Sequence, residues 1–184
     1  MKNTISIFVA FALIMTQLML HSACKKNNDL PDDEQELITT VLLQYENFAT
    51  PGVVQTYAFR DIDGIGGNNP TIDTIRLDAN SIYNLSLSVL DESKNPASNI
   101  TTEIEEKKED HQFFYEFGTA SGISAVYQDT DSNGLPIGLQ MQCMTNNPTA
   151  TTLLLTLKHQ VGIKNNNIAT GETDIAISFP VVVQ

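Results

Sequence analysis

The sequence predicts an all-β fold, an antiparallel β-sandwich of about nine strands. Three observations predict it. Apolar and polar residues alternate with period two along most of the chain. The alternating runs are short and recur roughly every 8–15 residues between clusters of Gly, Pro, Asn and Asp. Only one segment carries helical spacing. Immunoglobulin-like or transthyretin-like topology is expected, with a closed β-barrel of the lipocalin kind as the alternative. Tryptophan is absent and no cysteine pair is expected within the domain, which excludes the antibody-type core. No repeat of 20–50 residues appears, which argues against a propeller or a solenoid.

The strands follow in order. Residues 35–43 alternate Leu37, Thr39, Val41 and Leu43 against Ile38, Thr40 and Leu42. Residues 53–60 carry Val53, Gln55, Tyr57 and Phe59, and residues 71–77 place Ile75 and Leu77 on one face. The clearest run is 81–90, where Tyr83, Leu85, Leu87 and Val89 alternate with Asn84, Ser86 and Ser88. Residues 111–117, 123–128, 138–144, 151–160 and 173–183 complete the set. Pro180 marks the last of these as an edge or bulged strand, because proline cannot donate to a ladder. Residues 99–110 break the pattern: Ile100 and Ile104 stand one helical turn apart amid charge, and Glu103 precedes Lys107 by four. A short helix capped by Thr101 or Thr102, or an acidic loop, is expected there.

The N-terminus predicts the address. Met1-Lys2-Asn3 is followed by an apolar stretch over residues 5–20 and then by Leu20-His21-Ser22-Ala23-Cys24. Basic, apolar and small residues in that order form a secretory signal, and the stretch is short for a membrane span of about 20 residues. Ser22-Ala23-Cys24 resembles the lipobox of bacterial lipoproteins, which implies cleavage after Ala23 and acylation of Cys24, although His21 stands where an aliphatic residue is usual. Residues 1–23 are thus the expected signal peptide, 24–34 a lipidated flexible tether, and 35–184 a single β-sandwich domain. Lys25 after the cysteine, with the acids beyond it, points to the outer membrane, facing periplasm or cell surface.

Charge excludes one class of partner. The chain carries −12 at pH 7, and loss of Lys2 with the signal leaves nine Lys/Arg against 22 Asp/Glu, or −13. Phosphate contacts would be repulsive, so nucleic acid is ruled out. With Cys24 acylated, Cys143 has no disulfide partner; flanked by Met141 and Met144 in a strand-like run, it reads as a buried apolar residue.

Candidate ligand sites come from two residue sets. Asp61-Ile62-Asp63-Gly64 and Asp129-Thr130-Asp131-Ser132-Asn133-Gly134 each follow a strand. Calcium needs six to eight oxygens and a sharp turn, which Asp61 and Asp63, or Asp129, Asp131 and Asn133, would begin to supply. Gln140 stands where an EF-hand needs its Glu, so that motif is excluded. Ile65 takes the next alternating position of the first loop. The competing reading is a pair of hairpin turns, since Asp, Asn and Gly are what tight turns select. The second set is His111 and His159, each followed by Gln. If their strands are neighbours, both imidazoles reach one site for Zn2+, Cu2+ or haem iron, with Glu109 or Asp110 as a further oxygen ligand. The competing reading is two strand-end histidines bonded to backbone.

Catalysis finds no support. No G-x-S-x-G turn occurs, and neither histidine lies beside a sequence that builds an oxyanion hole. The carboxylates of 103–110 read as a solvated face, so the chain is expected not to be an enzyme. Asp73-Thr74-Ile75 resembles the short O-glycosylation motif of Bacteroidota secreted proteins, which would place a glycan on Thr74.

Several segments together carry a family resemblance: Glu34-Gln35-Glu36-Leu37-Ile38-Thr39-Thr40-Val41, Phe59-Arg60-Asp61-Ile62-Asp63-Gly64, residues 105–114 around His111-Gln112, residues 129–134, Leu157-Lys158-His159-Gln160, and Gly171-Glu172-Thr173-Asp174. As a set, covering nearly all of 34–184, they resemble an uncharacterised group of small Bacteroidota lipoproteins. That group often bears the label "type 1 periplasmic binding fold". The label does not suit a short chain that is nearly all strand, because that fold alternates strands and helices over a far longer one. Such lipoproteins look like companions of TonB-dependent receptors. The resemblance implies an outer-membrane or surface accessory module assisting uptake of a metal, haem or another nutrient. A structural or adhesive surface module stabilised by calcium is the alternative.

Overall fold

The computed structural model describes residues 37–64 and 66–184. The expected signal peptide, Cys24, the tether and Ile65 lie outside the described residues. Strand formation follows the alternation. The described residues form β1 (Thr40–Asn47), β2 (Val54–Arg60), β3 (Thr71–Ile72), β4 (Ile75–Leu77), β5 (Ile82–Asp91) and β6 (Ser98–Asn99). After the helix α1 (Ile100–Glu106) come β7 (His111–Phe117), β8 (Ile123–Tyr127), β9 (Gln140–Thr145), β10 (Thr149–His159) and β11 (Glu172–Val183).

These strands build two sheets and no closed barrel. One runs β3-β2-β1-β5-β9-β8, with β6 added beside β5; the other runs β4-β11-β10-β7. Every pairing is antiparallel except β11 with β4. The fold is therefore an all-β sandwich. The alternating rows meet between the sheets: Val41, Leu43 and Tyr45 of β1 and Leu85, Leu87 and Val89 of β5 lie in one core with Leu153, Leu155 and Leu157 of β10 and Phe179 of β11. Leu155 is fully buried, so truncation to Ala removes close-packed contacts at a cost of about 2–5 kcal/mol.

The sequence expectations differ from the structure at three places. The first strand begins at Thr40 and continues past Leu43, because Tyr45 extends the inward row while Leu37 is half exposed. The run 71–77 is two strands in different sheets: Phe59 pairs with Ile72, whereas Ile75 pairs with Val181. The chain crosses between sheets at Asp73 and Thr74, where the Asp73 carboxylate accepts the Ala58 amide at 2.9 Å. Eleven strands rather than nine result among the described residues, the additional ones being this division and the two-residue β6. Pro180 pairs with Thr152, and β4 joins β11 only from Val181 onward, so the proline sits where β11 is still a sheet edge.

Helix α1 forms where the spacing of Ile100 and Ile104 predicts, and both are buried. Its N-cap is Asn99, whose side chain accepts the Thr101 amide at 3.1 Å, not Thr101 or Thr102. Thr101 is engaged elsewhere: its hydroxyl accepts the Val89 amide at 2.8 Å and so fastens the helix to β5. The helix ends at Lys107, and the chain turns directly into β7. That turn sets up the candidate site.

Candidate metal centre

His111 opens β7 and His159 closes β10, and the antiparallel register of those strands pairs the two residues directly. Both share the parity of inward residues, His111 with Phe113 and His159 with Leu157 and Leu155. They therefore extend the core row to the end of the sheet, where apolar packing stops. Their rings stack at 4.5 Å between centroids with 4° between planes. Between Leu157 and Lys158 the register with β11 slips. Leu157 pairs with Ile175 and Lys158 with Thr173, leaving Asp174 as the extra residue of a bulge. Bulges re-aim side chains, and here the carboxylate arrives beside the histidines, its Oδ2 4.0 Å from His111 Nε2. The Lys158 ammonium, donating to Thr173 Oγ1 at 2.9 Å, fixes one side of the slip.

Three adjacent strands thus bring one ligand atom each from His111, His159 and Asp174 within 4.8 Å of one another. Among the described residues this is the one group of three or more His, Cys, Asp or Glu side chains so placed. His111 is buried, while His159 and Asp174 are half-buried and reached by solvent.

The chemistry of His111 follows from its other nitrogen. Nδ1 lies 3.1 Å from the carbonyl oxygen of Lys107. A carbonyl only accepts, so Nδ1 carries the proton, and the Lys107 carbonyl, which also accepts the Asp110 amide at 2.9 Å, takes a second donor. In the neutral ring Nε2 is then a bare lone pair. Burial pushes the His111 imidazole below its ordinary value. The bond to Lys107 opposes that fall, the charges of His159 and Lys107 add to it, and Asp110 opposes it. A backbone-fixed Nδ1–H with a free Nε2 is the usual arrangement of a metal-binding histidine. The loop beyond His159 is tightly seated: a Cβ at Gly171 would collide with the His159 carbonyl oxygen.

The carboxylate beside the two imidazoles belongs to Asp174, not to Glu109 or Asp110. Ser132 donates to Glu109 Oε1 at 2.6 Å, and Asp110 Oδ1 accepts the Gly162 amide at 3.0 Å. Both carboxylates bind neighbouring loops. No metal-ligand spacing marks Asp174, which the sequence shows only within the Gly171-Glu172-Thr173-Asp174 run at the start of the last strand, and a bulge leaves no periodic signal.

The Asp-rich loops close on themselves. Asp129 accepts the amides of Gly138 (2.8 Å), Leu139 (2.8 Å) and Gln140 (3.0 Å). Asp131 Oδ1 accepts those of Asn133 (2.8 Å) and Leu135 (2.9 Å), while Oδ2 meets the Lys164 ammonium at 2.9 Å. Asn133 enters through its backbone amide, as a turn residue. Lys164, itself buried, also donates to the Lys108 carbonyl at 2.7 Å. Burial pushes Asp131 upward, but the Lys164 ammonium and the Leu135 and Asn133 amides outweigh it and hold the carboxyl below its ordinary value. In the first loop Asp63 Oδ2 accepts the amide and side chain of Asn68 at 2.9 and 2.6 Å. Asp61 retains one buried oxygen without a hydrogen-bond partner. One oxygen is far from the six to eight that calcium takes. At both loops these side chains hold turns. Thr74 is half-buried at the sheet crossing. Cys143 is buried on β9 and its thiol is pushed up to about 12 by burial, which makes it inert as a nucleophile.

Comparison of the chain with family models, with curated proteins and with solved structures finds no match.

Proposed function

We propose that this chain is a lipid-anchored, non-catalytic binding module of the outer membrane, which holds cargo at the His111 end of its sandwich for a TonB-dependent receptor. The observation that carries the reading is the register pairing of His111 with His159, with Asp174 beside them. Two imidazoles and a carboxylate at the rim of a core are an arrangement for holding an electron-poor centre. The lipobox-like Ser22-Ala23-Cys24 supplies the anchor, and the net charge of −12 attracts cations. The alternative, a structural module stabilised by calcium, is weaker because Asp129 and Asp131 already bind amides and Lys164.

The test is thermal unfolding of the chelator-treated full chain with calcium, zinc, copper or haemin. A raised midpoint with zinc, copper or haemin, lost in His111→Ala or His159→Ala, supports the cargo reading. A shift with calcium alone turns the chain into the structural module, and no shift removes the cargo. Release from the membrane fraction by Cys24→Ser tests the anchor.

A further inference from the structure

Resting on that reading, we propose that the cargo is a single aquated divalent ion of the zinc and copper type, bound by His111 Nε2, His159 and Asp174 with one position left open. It is neither haem nor calcium. The starting point is the convergence of three donor side chains within 4.8 Å. His111 Nδ1 spends its proton on the Lys107 carbonyl, so Nε2 faces the Asp174 carboxylate as acceptor against acceptor, 4.0 Å apart. Two acceptors side by side are stabilised by a cation between them.

The donor set selects the ion. Two imidazoles and one carboxylate suit zinc, copper and nickel, whereas calcium and magnesium take oxygens. With metal–ligand distances of about 2.0–2.2 Å, donors on a tetrahedral ion stand roughly 3.3–3.5 Å apart. The three donors lie within 4.8 Å, so closure needs an inward movement on the order of 1 Å. His111 is buried and held by Lys107, while His159 and Asp174 are only partly buried. His159 must leave its stack for its in-plane lone pair to reach the same point as that of His111. Bis-histidine haem would need the opposite movement, the two rings driven apart rather than drawn together. Axial ligands approach iron from opposite faces of the macrocycle, and two imidazoles lying face to face at 4.5 Å leave no room for it between them. Three protein ligands leave a tetrahedral ion one open position, the place where a delivered ion is handed to another ligand.

The experiment titrates the chelator-treated full chain with Co2+ alone, followed by Zn2+ as competitor. Tetrahedral Co2+ gives intense visible absorption that Zn2+ removes. One ion per chain is expected. Removing an outer-shell partner costs about 10–100-fold in affinity, so losing a ligand in His159→Ala or Asp174→Asn costs at least about tenfold. Asp174→Asn keeps the shape of the side chain, and circular dichroism of both variants verifies folding. Unchanged affinity in Asp174→Asn, or no Co2+ or Zn2+ binding to the wild type, overturns the proposal. If haemin then binds in a His159-dependent way, the cargo reading stands without this ion. If haemin also fails, both fall.

Discussion

The loop 129–134 and the His111 end of the sandwich both offer metal-ligand chemistry in the sequence, and they differ in how their donors are arranged. In the loop 129–134 both oxygens of Asp129 and Oδ1 of Asp131 accept five backbone amides, and Asp131 Oδ2 is ion-paired with the Lys164 ammonium. At the His111 end, Nε2 and a carboxylate face each other as acceptors. Residue types nominate both places; the convergence of three donors within 4.8 Å singles out the second. A carboxylate bonded by its own turn is a structural element, and its internal cation is a lysine.

The largest effect should come from breaking the first region. Lys164 and Asp131 are both almost fully buried. Lys164→Met leaves the Asp131 charge in the interior without its partner, which costs about 3–5 kcal/mol, read by urea unfolding. The double variant with Asp131→Asn should recover much of that loss. If millimolar calcium instead rescues Lys164→Met, the loop is a cation site that the lysine occupies, and the contrast collapses. Acid unfolding carries the same signature. The Asp131 carboxyl is held below its unfolded value, so its stabilisation is present above that value, about 3.9, and is lost as pH falls through the folded one. The double variant should show a shallower loss of stability over that acid window.

The second region should respond to metal instead. Zinc at 100 times its dissociation constant adds about 2.7 kcal/mol. For a domain of this size that raises the midpoint by roughly 5–11 °C. His159→Ala should abolish the shift, and calcium should produce none in the wild type. A calcium shift that survives His159→Ala and disappears in Asp129→Ala would reverse the roles of the two regions.

Much of the fold was legible because period-two alternation records burial directly: Tyr83, Leu85, Leu87 and Val89 all face the core. The split of 71–77 between sheets was not, since Ile72 and Ile75 look alike in a hydropathy pattern and only their partners differ. At the candidate site the two histidines could be named from residue type, and their adjacency only conditionally, because strand order is a long-range property. Asp174 could not be named. It reaches the site by a one-residue slip between β10 and β11, which depends on the pairing of whole strands. Lys164 was equally hidden: a lysine in a polar loop gives no sign that it will be buried against a carboxylate 33 positions earlier.

The smallest expected effect tests whether the histidine end is held by the helix. Asn99 caps α1, and four residues before His111 the helix end supplies the Lys107 carbonyl that accepts from Nδ1. Asn99→Ala removes the cap at a cost of about 1 kcal/mol. Ile100 and Ile104 remain buried against the core, so the helix should fray at its start rather than unfold. If α1 orients His111, this small loss should be accompanied by weaker zinc binding, while the loop 129–134, whose acids are fixed by their own turn and Lys164, keeps its acid transition unchanged. Equal stability loss with undiminished zinc affinity would mean that β7 alone positions the imidazole and that Lys107 merely receives its proton. Titration calorimetry of Asn99→Ala beside the wild type separates the two.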